Sequence, residues 1–199
     1  LLLAQAPGRM GESLGLTGAR MGAGDVLHAG FADYFIAQAE WPALIAQLEE
    51  NGDPFILDRA ASTPPPSTLA EDQEEVDRLF HGESLKEIDA ALAMSDSGFA
   101  AETVKTLRRN SPLSMACTLE MLRRLRGPDI GMVPALEQEY RFTARSLEKG
   151  DFIEGGRAAI IDKDRSPKWQ HADWDVPQAD IDAMLAPLGD NELKLEENS

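Results

Sequence analysis

The side chains able to carry chemistry are three histidines (His28, His81 and His171), one cysteine (Cys117) and an abundance of carboxylates. Zinc and nucleophilic sites both need partners at defined spacing. No histidine stands at metal spacing from a second ligand, so each reads as a surface or cap residue and no metal site is assigned. Cys117 falls within an apolar run and reads as a packed, inert thiol. With 35 Asp and Glu in 199 residues, a pair of carboxylates carries little information. Glu137 with Tyr140, and Asp151 with Glu154, are explained by helix pairing and capping. There is no Gly-x-Ser-x-Gly elbow and no phosphate loop. Gly22-Ala23-Gly24 opens like a dinucleotide fingerprint, but Leu27 stands where the third glycine belongs and no strand precedes it.

The basic residues form three groups. Arg108-Arg109 and Arg123-Arg124-Arg126 each fall in the last turn of an expected helix, where the dipole favours positive charge. Lys163, Arg165 and Lys168 lie in a polar loop with Trp169 adjacent. A cationic, aromatic loop can hold an anionic ligand that carries a ring, such as an adenine nucleotide phosphate. The plainer alternative is a surface loop with Trp169 tucked onto the body.

Most elements that would position these groups are helical. Residues 9–18 form a short helix ended by Gly18, and Asp25 to Ala29 form another closed by Gly30. Trp41 to Glu50 is amphipathic and stopped by Asn51-Gly52. Pro64-Pro65-Pro66 cannot be helical and marks the clearest joint. Thr68 with Glu71, and Ser84 with Glu87, predict capping boxes, the second opening a helix from Leu85 to Met94. Phe99 to Arg109 is helical. Ser111-Pro112 starts a helix that runs to Arg126, is apolar on most sides and therefore buried, and is halted by Gly127-Pro128. From Pro134 to Lys149, Leu136, Tyr140 and Leu147 form one stripe, and Gly150 ends that helix. Asp151 with Glu154 caps Phe152 to Ile161, and Gln178 to Leu185 is the last helix. Tyr34-Phe35-Ile36 is the best strand candidate. A lone strand must pair its backbone groups somewhere. Either a sheet edge comes from outside this sequence or the segment is not a strand, and the first choice implies a missing half. The divisions expected are 1–62, 63–110 (the proline-rich joint and a helical insertion) and 111–199.

A formal net charge of −16 repels nucleic acid and anionic membrane surfaces. The acidic stretches Glu71–Asp77 and Asp190–Glu197 read as solvated. Apolar residues make up 43%, enough for a core. No apolar run approaches a membrane span, and Leu1 to Leu3 is too short, and without preceding basic residues, for a secretory signal. A lone cysteine forms no intrachain disulfide and suits a reducing compartment. The apolar opening reads as a chain that begins inside an element.

Four segments together resemble the 3-hydroxyisobutyryl-CoA hydrolase family of the enoyl-CoA hydratase/isomerase (crotonase) superfamily. They are Pro7-Gly8-Arg9 with Leu14-Gly15-Leu16-Thr17-Gly18-Ala19-Arg20, Asp25 to Gly30 followed by Phe31-Ala32-Asp33-Tyr34-Phe35-Ile36, and Ser111-Pro112-Leu113-Ser114. The fourth is the longest: Glu139-Tyr140-Arg141, then Asp151 to Ala158, then Ile161 to Trp169. Matching is poorest between Gly52 and Asn110. The resemblance implies a mainly α chain that forms the C-terminal helical part of an α/β crotonase (ClpP/crotonase-like) fold. It also implies thioester hydrolysis at an oxyanion hole of two backbone donors, supported by a glutamate and an aspartate. Those groups match positions upstream of Leu1, so no catalytic residue is assigned here. In the superfamily a basic residue after the C-terminal helix touches the nucleotide of coenzyme A. Lys163 is its nearest match, and Lys163 and Arg165 are the substrate-binding candidates. Asp33-Tyr34 replaces the family's Thr-His pair, a departure that bears on acyl choice. Coenzyme A enters as part of the substrate, with no separate cofactor. The implied partners are an acyl-CoA, the N-terminal half of the same fold and further copies in a homo-oligomer. The implied setting is bacterial cytoplasm or mitochondrial matrix. Two rival functions are an enoyl-CoA hydratase or isomerase of the same fold and a non-catalytic helical assembly module, the latter exposing a large apolar surface.

Overall fold

The structure is a computed structural model that describes residues 1–127 and 131–195. Among these residues there are twelve α-helices and no strand. They are α1 (Leu2–Gln5), α2 (Met10–Thr17), α3 (Ala23–His28), α4 (Trp41–Asn51), α5 (Ile56–Ala60), α6 (Thr68–Leu79), α7 (Leu85–Ala93), α8 (Gly98–Leu107), α9 (Pro112–Leu125), α10 (Met132–Ser146), α11 (Phe152–Gly156) and α12 (Gln178–Leu185). A single π-helical turn, Arg157–Ile161, continues α11.

The centre of the body is α9, packed against α1, α2, α7, α10 and α12. Ser111 caps it by accepting from Ser114 N–H at 3.1 Å, and Pro112 occupies its first turn, where a missing N–H costs nothing. Eight of its side chains are buried, Cys117 completely. Burial pushes the Cys117 thiol up to about 12, which makes it a packing residue. Around α9 lie Met10 and Leu16 from α2, Val76 and Leu79 from α6, Phe80 beyond it, Ile88 and Leu92 from α7, Leu107 from α8, and Met184 and Leu185 from α12.

Two polar ties join this core across long sequence distances. Glu12, buried in α2, accepts two bonds from the Arg126 guanidinium at 2.6 and 2.8 Å, and Arg126 also donates to the Gly8 carbonyl at 3.0 Å. Asp25 in α3 accepts from Leu69 N–H at 3.1 Å and from the Ser67 hydroxyl at 2.8 Å at the start of α6, and from Gly22 N–H at 2.9 Å. Burial alone would raise the Asp25 carboxyl, but its hydrogen bonds outweigh it and hold the group below the ordinary carboxylate value. Gly24 allows α3 to approach the proline segment, since a Cβ there would overlap the Pro65 carbonyl.

Several expectations are corrected. Tyr34-Phe35-Ile36 is not a strand. The Phe35 carbonyl accepts from Ser62 N–H at 2.9 Å, and Tyr34 donates to Asp58, so local loop contacts replace a ladder. Thr68 does not cap α6. Ser67 does, accepting from Ala70 N–H at 3.0 Å. Ser84 caps α7 as expected, but Glu87 accepts from Glu83 N–H rather than closing the box on Ser84. Arg123 and Arg124 pair with Glu120, and Arg126 serves Glu12, so the arginine cluster makes side-chain ion pairs as well as sitting at a helix end. The acidic stretch 71–77 is only partly solvated, because Asp77 accepts from Arg9 N–H at 2.7 Å and Val76 is in the core. The stripe of Leu136, Tyr140 and Leu147 is largely uncovered, and Leu147 lies just past the end of α10. Tyr140 and Leu147 are exposed, and the buried residues of α10 are Ala135 and Gln138. Pro128 and residues 196–197 of the acidic tail lie outside the described residues.

Candidate functional site

The cationic loop is built from three consecutive local features. Gly150 follows the end of α10, where an added Cβ would press on the Ser146 carbonyl at 2.9 Å. Asp151 then stands at the cap position of α11 without capping it. Its buried carboxylate instead accepts from the Ser111 hydroxyl at 2.6 Å and from Gln170 N–H at 3.0 Å. Asp151 therefore ties the start of α9 to the end of the loop, a correction to the expected local cap. Finally, α11 widens into the π turn, in which Asp162 N–H reaches back five residues to the Arg157 carbonyl at 2.8 Å. Such single turns recur at functional sites.

Arg157 is the centre of the loop. Its Nε and Nη2 take both oxygens of Glu154 at 2.9 and 2.7 Å. Its Nη1 donates to Asp162 and Asp164, each at 2.7 Å, and Nη2 also reaches the Ser166 carbonyl at 3.2 Å. Glu154 accepts in addition from Lys168 N–H at 2.6 Å. The Arg157 guanidinium first, and the Lys168 N–H second, pull the Glu154 carboxyl down to about 2. The Arg157 guanidinium and Ser166 N–H hold Asp164 below its ordinary value as well.

Lys163 and Arg165 are both exposed and both have left-handed backbones, with φ of 56° and 53°. They are the only non-glycine residues of that kind among the described residues. The carboxylates that flank them are bound to Arg157, so neither cation has an ion-pair partner among the described residues. Lys168 lies at the far end of the loop and gives its backbone to Glu154. Trp169 lies across Gly155, where a Cβ would meet the ring at 3.3 Å. Its indole Nε1 is buried without a partner among the described residues. The ring borders a hollow of about 370 Å³ shared with Gly15, Gly18, Asn110, Ser111 and Ser114. The expectation that Trp169 tucks onto the body is met, and it coexists with a loop that presents free cations.

Two of the histidines make contacts of their own. His28 bonds Gln73 at 2.8 Å between α3 and α6, and His171 stands 3.4 Å from Asp180. Residue-type reasoning missed Arg157 as the organiser. The signal lay in Glu154-x-x-Arg157, an ion pair one turn apart, followed by alternating carboxylates at 162 and 164.

The match of a family model described as enoyl-CoA hydratase/isomerase to residues 1–185 decides the family. The chain belongs to it. Among curated relatives, the mitochondrial 3-hydroxyisobutyryl-CoA hydrolase of Gallus gallus is 31% identical over 205 residues, which is 97% of this chain and 53% of the relative. That of Rattus norvegicus is 33% identical over 204 residues, 96% and 52%. A crystal structure described as an enoyl-CoA hydratase from Rhodobacter sphaeroides 2.4.1 superposes with a TM-score of 0.91 at 53% identity, covering 98% of this chain and 56% of that one. A carnitinyl-CoA dehydratase from Mycobacterium thermoresistibile gives 0.88 at 34%, covering 97% and 55%. The chain spans about half the length of the curated relatives it matches. The expected fold, the helix-rich C-terminal portion of a crotonase fold, is met.

Proposed function

We propose that this chain is part of an acyl-CoA thioester hydrolase that acts on 3-hydroxyisobutyryl-CoA, a step of valine breakdown. Its helices carry the coenzyme A end of the substrate, and the oxyanion donors and catalytic carboxylates come from outside these 199 residues. The observation that carries the site assignment is the loop 162–169, where Lys163 and Arg165 are exposed and free of carboxylate partners among the described residues, while Trp169, in the same loop, packs against Gly155. Two unpaired cations are what a nucleotide phosphate requires, through charge-assisted hydrogen bonds. The hydrolase reading draws on the curated relatives, all of which bear that name among those compared above.

A hydratase is the second reading, favoured by the 53% identity to the structure described as an enoyl-CoA hydratase. The two differ in where water attacks. Hydrolysis breaks the thioester and releases a free thiol, while hydration adds water across a carbon–carbon double bond and leaves the thioester intact. Assays of the intact protein with 3-hydroxyisobutyryl-CoA, followed by thiol release, and with crotonyl-CoA, followed by loss of the enoyl absorbance, separate them. Thiol release with the first substrate alone is the expected result. Turnover of crotonyl-CoA without thiol release would overturn the hydrolase reading.

A further inference from the structure

Two left-handed non-glycine residues separated by a single position are sterically costly, because each Cβ crowds the neighbouring carbonyl. A loop free to relax would not keep both, so something must hold them. The groups that bracket Lys163 are Asp162 and Asp164, and both carboxylates bind Arg157 Nη1 at 2.7 Å. The groups that bracket Arg165 are Asp164 and Ser166, and the Ser166 carbonyl accepts from Arg157 Nη2 at 3.2 Å. Each cation therefore sits between two neighbours drawn in to one guanidinium. The Arg165 N–H is itself fixed to the Ala158 carbonyl at 3.0 Å. Glu154 holds the other edge of Arg157 from the preceding turn of helix, so the hub is anchored to a rigid element rather than floating with the loop.

We propose that Arg157 is the positioning residue of the coenzyme A subsite: it cross-links residues 154, 162, 164 and 166 and thereby holds Lys163 and Arg165 turned outward, ready for the nucleotide phosphates. This inference rests on the loop's role in the proposed function. Three features of the hub serve that role. It neutralises the carboxylates that would otherwise pair with Lys163 and Arg165. It prepays the conformational cost of presenting two flexible side chains. It needs a planar fork of five donors, which the point charge of a lysine does not supply.

The test uses the intact protein, with the acyl-CoA it turns over and the matching acyl-pantetheine thioester, which lacks the nucleotide. The readout is the ratio of kcat/KM for the two substrates. In Lys163→Ala/Arg165→Ala this ratio falls by about tenfold, the scale of one charge-assisted contact. Arg157→Gln gives the same fall, expressed in KM for the acyl-CoA, and Arg157→Lys does not rescue it. Adding Arg157→Gln to the Lys163→Ala/Arg165→Ala variant lowers the ratio no further, because the hub acts through those two residues. Should Arg157→Gln not fold, Asp162→Asn/Asp164→Asn carries the test, since it cuts the loop's arms and keeps the Glu154–Arg157 pair. An unchanged ratio in Lys163→Ala/Arg165→Ala overturns the loop's place in the proposed function. A lowered ratio there, with an unchanged ratio in Arg157→Gln or in the double Asn variant, overturns the positioning role alone. So does an equal loss of kcat on both substrates, the mark of a purely structural residue.

Discussion

The two flanks of α9 are built differently. On one side α2, α7 and α12 pack on it with α6 and α8 behind them, and side chains such as Phe80, Ile88 and Leu107 have no exposure at all. On the other, α10, α11 and the π turn leave Met132, Tyr140, Leu147, Phe152, Ile153, Ile160 and Ile161 open, the last two at 71% and 75%. Gln138 lies buried there with its Oε1 unpartnered among the described residues, beside a hollow of about 190 Å³. Buried acceptors are normally satisfied, and contiguous exposed apolar surface marks contact surfaces. The enclosed flank is a finished core, whereas the loop that follows the π turn is held in shape by charge, through Arg157 and its acceptors. An exposed apolar surface is what the rival reading of a helical assembly module expects, and it equally suits a helix-rich part of a larger fold.

The comparison can be broken most forcefully on the enclosed side. Phe80→Ala in the intact protein is expected to lose about 3–5 kcal/mol, read by chemical denaturation. A loss under 1 kcal/mol would mean that this core is not tightly packed. Ser111→Ala comes next, at about 1 kcal/mol for the lost cap. It also removes the hydroxyl from Asp151, so the change should disturb Trp169 fluorescence. On the open side, Ile160→Ala with Ile161→Ala should change stability by no more than about 0.5 kcal/mol if the face is uncovered. A larger loss in the intact protein would reveal an element packed on it.

The smallest effect sharpens the charge half of the contrast. Glu154 should titrate near pH 2 by carboxyl NMR and rise toward the ordinary range in Arg157→Gln, with the Lys168 N–H bond still lowering it. Its folded pKa lies below the usual 4.5. The stabilisation it contributes is therefore complete above the unfolded value and is lost as pH falls through about 2. A midpoint near 4.5 in the unmodified protein would show that the hub does not hold its acceptors.

The residues foretold much of the helical scaffold and less of its faces. Gln178–Leu185 is helical over the expected span, and Gly18 and Gly52 end α2 and α4 in the left-handed conformation. Ser111-Pro112 starts α9 as expected, for capping and backbone preference are local. The strand at Tyr34-Phe35-Ile36 was wrong because β-branched and aromatic residues state a preference that only a neighbouring extended chain can realise. The stripe on α10 left its burial undecided for a related reason. Periodicity shows that a helix has an apolar face, not whether anything covers it.

The candidate site divides along the same line. Lys163 and Arg165 could be named from residue type, position and family likeness, because charge and loop chemistry are written in the order of the residues. Their left-handed backbones, the capture of Asp162 and Asp164 by Arg157, and the bond from Ser111 to Asp151 were set by folding. Each depends on groups brought to within 3 Å across a turn, a loop or forty residues of chain, and proximity of that kind is a property of the packed molecule.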